Sequence, residues 1–474
     1  MSNKIIESLS FDDVLIEPRL SDIQSRKNIN LKSRLTKNIV LNTPLISSPM
    51  DTLTEDKMAI SLAINGGLGI LHRYNTISQQ VEMVSKVKRY LSFIITEPYT
   101  IRHTDTLNNM LEKISRYNVY SYIVTDDDNK LLGIVTKRDL NLFSGNYDTL
   151  ISNIMSRDLI TVTDTITRDT ALEIMNKYKI EKLPVINDKN EPTGIITYKN
   201  LIEYKKNHDR YSLDTKGRLL VGAAVGIVGD YLERARALVD AGCDIICIDV
   251  ANGYNTRLED VIAEIKALNV EIMAGNVCNE DGFEYLALCG ADCIRVGIGS
   301  GSICSTRLVT GVGCGQFSAL LRCRDIARKY NVGMISDGGH LGKDGNIAKA
   351  FVAGADAMML GKTFAATDET PGNILFRNGK RVKCYRGMAS TMAMISKAEN
   401  THKEYVQTQA PEGFDIEVEI KGPVGDIIKR IESSIKSTMS YIGCVDVYTL
   451  RHIEGEIIYN RQSIGVMSET SIRK

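Results

Sequence analysis

Eight short apolar runs, each closing on Gly, Ser, Asp or His, recur along the 474 residues: Leu45-Ile46-Ser47-Ser48, Leu68-Gly69-Ile70-Leu71-His72, Leu219-Leu220-Val221-Gly222, Ile245-Ile246-Cys247-Ile248-Asp249, Ile272-Met273-Ala274-Gly275, Cys293-Ile294-Arg295-Val296-Gly297, Gly333-Met334-Ile335-Ser336-Asp337 and Ala357-Met358-Met359-Leu360-Gly361. Helical patterns lie between most of them. Tyr231-Leu232, Ala235 and Leu238-Val239 form one apolar stripe stopped at Ala241-Gly242, and Val261-Ile262, Ile265 and Leu268 form another. Strands alternating with helices in this number predict an α/β chain that closes into a (β/α)8, TIM-type barrel rather than an open sheet. Such a barrel carries its chemistry at the C-terminal ends of the strands, so the residues that close each run are the ones to weigh.

One interval breaks the rhythm. From Tyr74 to Arg218 the chain is far too long for a loop in a compact domain, and it contains an internal repeat. Leu132-Gly133-Ile134-Val135-Thr136-Lys137-Arg138-Asp139-Leu140 recurs as Thr193-Gly194-Ile195-Ile196-Thr197-Tyr198-Lys199-Asn200-Leu201, each copy after a helix-like segment and an apolar strand. Two copies of about sixty residues predict an inserted α+β pair. The expected division is a first barrel part over 1–90, the insert over 91–211, and over 212–474 the rest of the barrel with its catalytic loop, flap and C-terminal segment. The pair resembles a tandem of CBS domains, a Bateman module. That resemblance implies a regulatory adenine or guanine nucleotide held by Thr136 and Asp139 in the first copy and by Thr197 and Asn200 in the second, where Asn200 departs from the acidic pattern. A purely structural pair is the alternative reading.

Charge and cysteine usage exclude several classes. Lys+Arg and Asp+Glu both number 58, so no bulk field favours nucleic acid or an anionic membrane, and a small ligand held by local groups is the expected partner. All ten cysteines lie between Cys243 and Cys444 without a CxxC pair, which argues against a disulfide framework or a zinc site. Most are expected to be small buried hydrophobes in a reducing compartment. Met1-Ser2-Asn3-Lys4-Ile5-Ile6-Glu7 has no apolar core of signal-peptide length, and no apolar stretch reaches spanning length, so the expected location is cytoplasmic.

The sixth run leads into Gly297-Ile298-Gly299-Ser300-Gly301-Ser302-Ile303-Cys304-Ser305-Thr306-Arg307, a glycine-rich turn that delivers one cysteine among backbone amides. Glycines let the backbone approach a ligand, and exposed N–H groups favour a thiolate, so Cys304 is the candidate nucleophile. A flexible turn around a buried cysteine is the bland alternative. Asp337-Gly338-Gly339 and Leu360-Gly361-Lys362 close the seventh and eighth strands, where this fold commonly seats a phosphate, and a helix starting after Gly361 would add its positive end. Asp337 would repel phosphate, so it is better suited to accept from ribose hydroxyls; alone it reads as a turn aspartate.

Phe11-Asp12-Asp13-Val14-Leu15-Ile16-Glu17-Pro18, Ser47-Ser48-Pro49-Met50-Asp51-Thr52, Tyr385-Arg386-Gly387-Met388 and Lys421-Gly422-Pro423 complete a pattern that resembles the IMP dehydrogenase/GMP reductase family along nearly the whole chain. The resemblance implies that Cys304 attacks C2 of a purine nucleotide. It further implies that Ser48, Met50, Ser302, Asp337, Gly338, Gly339, Gly361, Lys362, Tyr385, Gly387 and Met388 hold the nucleotide, that Glu412 contacts the base, and that Asp249, Asn252 and Gly297 face the nicotinamide cofactor. A monovalent cation, potassium in family terms, is implied at Gly299, Gly301, Cys304 and Arg307, and the assembly implied is a homotetramer or octamer.

Local segments lean toward the GMP reductase branch: Asp249-Val250-Ala251-Asn252-Gly253-Tyr254, Ile272-Met273-Ala274-Gly275-Asn276-Val277, Thr310-Gly311-Val312-Gly313 and Ser437-Thr438-Met439-Ser440-Tyr441-Ile442-Gly443. The dehydrogenase flap carries an Arg-Tyr pair whose arginine activates water; here His402-Lys403-Glu404-Tyr405 puts glutamate there. The expected reaction is therefore GMP + NADPH + H⁺ → IMP + ammonia + NADP⁺, with NADH as another possible reductant and with Cys304, Thr306 and Glu412 as the catalytic set. An NAD-dependent IMP dehydrogenase is the alternative, and a non-catalytic nucleotide sensor the third reading. His72-Arg73 stands where reductases place a lysine, and Gly315 where the family usually has proline.

Overall fold

In the computed structural model, which describes residues 5–90, 93–96, 98–117, 119–400, 411–451 and 457–463, eight parallel strands close a barrel. They are β1 (Leu45–Ser47), β2 (Leu68–Leu71), β3 (Gly222–Val225), β4 (Ile245–Ile248), β5 (Glu271–Val277), β6 (Cys293–Val296), β7 (Gly333–Asp337) and β8 (Ala357–Leu360). β8 pairs back onto β1 through Leu360↔Ser47, which closes the ring. Ile46, Ile70, Ala224, Cys247, Met273, Ile335 and Met359 share one buried cluster inside it. A hairpin of Ser33–Arg34 with Val40–Leu41 adds Leu35, Ile39 and Leu41 to that cluster. It sits at the N-terminal mouth, because a Cβ on Gly333, the first residue of β7, would lie 1.9 Å from the Leu35 carbonyl. Each such buried Leu or Ile contributes about 1.5–3 kcal/mol, so the hairpin is a stabilising plug that leaves the other mouth for chemistry.

Seven of the eight apolar runs fall on these strands. The third is displaced: Leu219-Leu220-Val221 is lead-in, and the strand is Gly222-Ala223-Ala224-Val225. Size explains the shift, since a Cβ on Gly222 would meet Ile70 Cδ1 at 2.4 Å and Ile245 Cγ2 at 2.8 Å. Large neighbours on β2 and β4 leave room only for small residues, which an apolar-run reading passes over. A second difference follows β8. No regular helix starts after Gly361; the chain makes successive turns, with Phe364 and Ala365 N–H donating to the Gly361 carbonyl at 3.0 and 3.1 Å.

The chain divides into two compact units, 1–90 with 210–474 and 91–209. β2 pairs directly with β3 through Gly222↔Ile70, so no strand of the second unit enters the barrel. Within that second unit two three-stranded sheets form, and the repeat governs both. Tyr122–Thr125 is antiparallel to Leu131–Val135 as Lys182–Ile186 is to Pro192–Thr197. Each incoming segment then pairs with the other copy's second strand, Ile95 with Ile195 and Ser156 with Ile134. A helix closes each repeat, Lys137–Leu142 or Tyr198–Asn207.

Beyond β8 an antiparallel sheet of β9 (Leu375–Arg377), β10 (Lys380–Arg386) and β11 (Asp415–Glu419) pairs Tyr385 with Ile416 and Arg386 with Asp415. The end of β10 thereby reaches the barrel mouth, where Arg386 donates to Asp51 just after β1. The flap residues His402-Lys403-Glu404-Tyr405 lie outside the described residues.

Candidate active site

The loop after β6 is tied to the end of β7. Ser300 Oγ donates to the Asp337 carbonyl at 2.6 Å, and the Gly339 N–H donates to the Ser300 carbonyl at 2.9 Å. Gly338 takes φ +81°, and a Cβ there would sit 2.8 Å from Ser300 Oγ, so this contact requires glycine. Further along, the Phe414 N–H donates to the Ile303 carbonyl at 3.0 Å and the Ser305 N–H to the Glu412 carbonyl at 3.1 Å. That short bridge sets Glu412 beside the cysteine loop although the two are far apart in sequence.

The result is a hydrogen-bond relay. Cys304 Sγ donates to Thr306 Oγ1 at 3.1 Å, and Thr306 Oγ1 donates to Glu412 Oε2 at 2.7 Å. All three residues are half-buried. A thiol proton can leave along this path, and the same path can return a proton to a group bound at the sulfur. Cys243 and Cys247, the thiols just before and on β4, are poor candidates for that chemistry, since burial pushes them up to about 12 and about 11. His340, next after Gly338-Gly339, is lowered to about 4 by burial and is therefore neutral at pH 7.

A charged network floors the mouth beside the relay. Arg295 on β6 donates through Nη1 to Asp249 Oδ1 at 2.8 Å and through Nη2 to Asp337 Oδ2 at 2.9 Å. Burial opposes its charge, but Cys247, Asp337 and Asp249 raise its pKa well above the ordinary arginine value. Asn276, at the end of β5, donates to Asp337 Oδ2 at 2.9 Å and to the Gly297 carbonyl at 2.7 Å, while its Oδ1 is buried without a hydrogen-bond partner among the described residues. From the end of β2, Arg73 donates to the Asp249 carbonyl at 3.4 Å, whereas the neighbouring His72 turns inward and accepts the Tyr74 N–H at 3.1 Å. Of the His72-Arg73 pair, the arginine is the one that reaches the site. Sequence reasoning does not single out Arg295 or Asn276 as site residues, and it flags Arg73 only as half of the His72-Arg73 pair. A charged side chain inside the apolar run Cys293-Ile294-Arg295-Val296 is the signal that points to the first of them, because a buried charge demands partners.

The phosphate candidates gather at the ends of β1, β8 and β10. Tyr385 is buried, its hydroxyl lies 3.6 Å from Met50 Sδ, and a Cβ on Gly361 would stand 2.4 Å from that hydroxyl. Burial raises the Tyr385 pKa, while a hydrogen bond with Ser302 works against the rise. Ser48 donates its N–H to the Leu360 carbonyl at 3.2 Å, which joins β1 to β8. Met388 accepts the Asp51 N–H at 3.3 Å, and a Cβ on Gly387 would lie 3.1 Å from Gly413 Cα, so this strand end closes over the cysteine loop. Lys362 is exposed. Asn252 is not drawn into the network: its Oδ1 accepts the Tyr254 N–H at 3.1 Å in a local turn.

Two implied ligand sets test differently. The carbonyls of Gly299 and Cys304 accept no hydrogen bond among the described residues, and with Gly301 they offer the oxygen donors a monovalent cation takes. The Gly301 carbonyl already accepts the Cys304 N–H at 3.1 Å, and the fourth implied residue, Arg307, is held in the same way. Its carbonyl accepts the Gly311 N–H at 3.2 Å, and its guanidinium donates to the carbonyls of Ile298 and Cys314, so it braces the loop. For a nicotinamide cofactor beside Asp249 and Gly297, the unpartnered Asn276 Oδ1 is an acceptor suited to an incoming N–H or hydroxyl. In the insert, Asp139 Oδ2 accepts from both the backbone N–H and the hydroxyl of Thr136, at 2.7 and 2.6 Å, and Thr197 Oγ1 accepts the Asn200 N–H at 3.3 Å. Each motif thus caps a helix.

Comparison with known proteins yields a consistent answer. The family description "IMP dehydrogenase / GMP reductase domain" matches residues 8–471. This chain belongs to the IMP dehydrogenase/GMP reductase family. It is similar to an inosine-5′-monophosphate dehydrogenase of Nitrosopumilus maritimus (strain SCM1), 40% identical over 444 residues covering 92% of each chain. It is about equally similar to a GMP reductase of Leishmania major, 39% identical over 452 residues covering 92% of this chain and 91% of that one. Among solved structures it is similar to a GMP reductase variant from Trypanosoma brucei in complex with guanosine 5′-monophosphate, with TM-score 0.93, 36% identity and coverage of 99% and 98%. The T. brucei enzyme in complex with guanosine 5′-triphosphate matches with TM-score 0.82, 33% identity and coverage of 97% and 98%. Among the described residues no helix is long and apolar enough to cross a membrane. The protein is thus an oxidoreductase of a family that uses nicotinamide nucleotides in purine metabolism. Gly315, where the resemblance leads one to expect proline, is fitted by packing: its N–H donates to Ser8 Oγ at 2.6 Å, and a Cβ would lie 2.4 Å from the Leu9 carbonyl. A proline ring fits neither contact.

Proposed function

We propose that the protein is a GMP reductase, converting GMP to IMP and ammonia with NADPH. The observation that carries the reading is the continuous relay from Cys304 through Thr306 to Glu412. The thiol proton passes along it to Glu412, and the thiolate adds to C2 of the purine. The proton returns through Thr306 to the 2-amino group, which leaves as ammonia and gives a thioimidate, since a neutral amine departs far more readily than an amide anion. A reduced nicotinamide supplies hydride when bound, and C–S cleavage then releases IMP and restores the thiolate. Asp337, oriented by Arg295 and Asn276, accepts from the ribose hydroxyls, and Gly338, Gly339, Gly361, Lys362, Tyr385 and Gly387 surround the phosphate. Asp249 and Gly297 would hold the cofactor, and the carbonyls of Gly299, Gly301 and Cys304 would hold potassium.

The competing reading is an IMP dehydrogenase, favoured by the 40% identity to the N. maritimus enzyme. Following NADPH absorbance with GMP, and NADH formation with IMP plus NAD, separates the two. The reductase should oxidise NADPH steadily with GMP, and should give with IMP and NAD at most one equivalent of NADH per site before stalling. Steady XMP formation at a comparable rate would overturn the assignment.

The insert is proposed to be a regulatory CBS pair, a reading supported by its two-fold repeated topology and by a relative solved with GTP. Replacing residues 91–209 by a short linker is expected to preserve GMP reduction and abolish its response to purine nucleotides. A folded barrel without activity would refute that separation. Asp139→Ala should weaken regulation more than Asn200→Ala, and equal effects would remove the ranking of the two motifs. Tetrameric or octameric assembly belongs to the same proposal, and light scattering on the intact chain reads it directly.

A further inference from the structure

Two lysines with no part in the chemistry above grip the turn that follows β8. Lys383, buried on β10, donates through Nζ to the carbonyls of Thr367 and Thr370 at 3.1 and 2.7 Å and to the Thr370 hydroxyl at 3.2 Å. Lys421, just past β11, donates through Nζ to the carbonyls of Lys362 and Thr363 at 2.6 and 3.2 Å, and its backbone N–H donates to the Ala366 carbonyl at 3.0 Å. The two-residue period of β10 puts Lys383 and Tyr385 on one face. A single strand therefore meets the turn at both ends, with the Tyr385 hydroxyl against Gly361 and the Lys383 ammonium against Thr367 and Thr370.

The consequence lies in the opposite edge of the backbone. Backbone N–H groups of Gly361, Lys362 and Thr363 have no acceptor among the described residues, because the turn's own bonds begin at Phe364 and Ala365. The Lys362 carbonyl and the Thr363 N–H belong to the same trans peptide plane and point in opposite directions. An ammonium that holds the carbonyl therefore aims the N–H away from itself. It also neutralises carbonyl dipoles that would repel an anion, which is the service a helix N-terminus gives elsewhere and which no regular helix gives here. Desolvation, with the charges of Lys362 and Arg430, lowers Lys421 to about 8, which is the expected response of an ammonium lacking a nearby counter-anion.

We propose that Lys421, supported by Lys383, is a positioning residue for the nucleotide 5′-phosphate, fixing the turn at Gly361–Thr363 so that its N–H groups face the anion. The proposal rests on the reading of this mouth as a purine-nucleotide site. Lys421 is exposed and its bond to the Lys362 carbonyl lies where water can take its place, whereas replacing Lys383 would leave buried carbonyls without a donor. On the full chain, binding of GMP, IMP and guanosine is measured by calorimetry for the wild type, Lys421→Gln and Lys421→Arg. Lys421→Gln is expected to weaken GMP and IMP by about tenfold, the scale of one charge-assisted hydrogen bond, with guanosine changed less than about twofold. Lys421→Arg should keep GMP affinity within about threefold because it retains a charged donor. Unchanged GMP binding in Lys421→Gln, or equal losses for GMP and guanosine, would overturn the proposal. Both nucleotides share the phosphate, so the result does not depend on the direction of the reaction. A wild type that binds neither would instead overturn the nucleotide-site reading.

Discussion

Cys304→Ser is expected to lower GMP reduction by more than about a hundredfold while GMP still binds, since nucleophilic chemistry at this centre depends on a thiolate. A serine hydroxyl in the same place can still donate to Thr306, so the relay to Glu412 survives in form. Its proton, however, is held far too tightly for a carboxylate at the end of that relay to remove. The nucleotide contacts proposed for Asp337, Tyr385 and the Gly361 turn do not involve the thiol and should survive the change. Steady-state kinetics with calorimetric GMP binding gives the two readouts, and mass spectrometry of trapped wild-type enzyme should find the purine adduct on Cys304. Activity in the serine variant above about one per cent of wild type, or an adduct on another cysteine, would reject Cys304 as the nucleophile.

Arg295→Met should cost about 3–5 kcal/mol of stability, because it strips a buried cation from two carboxylates that remain. The Arg295 side chain is 7% exposed, and Asp249 and Asp337 are each 18% exposed, so water can screen them only in part. Methionine fills much of the same volume, which isolates the electrostatic effect from a cavity effect. The double change Asp249→Asn with Asp337→Asn in the methionine background is expected to recover part of the loss, since neutral amides no longer repel one another. Urea unfolding measures all three proteins. A loss under about 1 kcal/mol for Arg295→Met would show that the network is not needed for folding, and activity would then report whether it orients Asp337 and Asp249 for binding.

The barrel was legible in the chain because strand periodicity and the closing Gly, Ser and Asp residues are local signals. The displaced third strand shows the limit of that reading. Gly222, Ala223 and Ala224 carry little hydrophobic signal, and at Gly222 the bulk of Ile70 and Ile245 on either side leaves no room for a side chain. Likewise the cysteine loop advertised itself through its glycines, but nothing local shows that the segment around Glu412 bridges to it, or that Arg295 rather than a lysine beside β2 balances the two aspartates. The repeat in the insert was visible as a motif, while the exchange of edge partners between its copies was not.

What the sequence by itself determined is therefore the fold class and the family, and it singled out Cys304 as the nucleophile proposed here, each through short-range pattern: apolar period, glycine spacing and a cysteine in the loop after a strand. Tertiary structure alone decided how protons and charges are shared. The Cys304–Thr306–Glu412 relay spans from residue 304 to residue 412, the Asp249–Arg295–Asp337 network joins three strands, and Lys383 and Lys421 donate to carbonyls of the turn after Gly361, where no regular helix forms. Hydrogen bonds and ion pairs act over about 3 Å in space regardless of sequence separation, so their partners are fixed only when the barrel closes and brings its strand ends to one mouth.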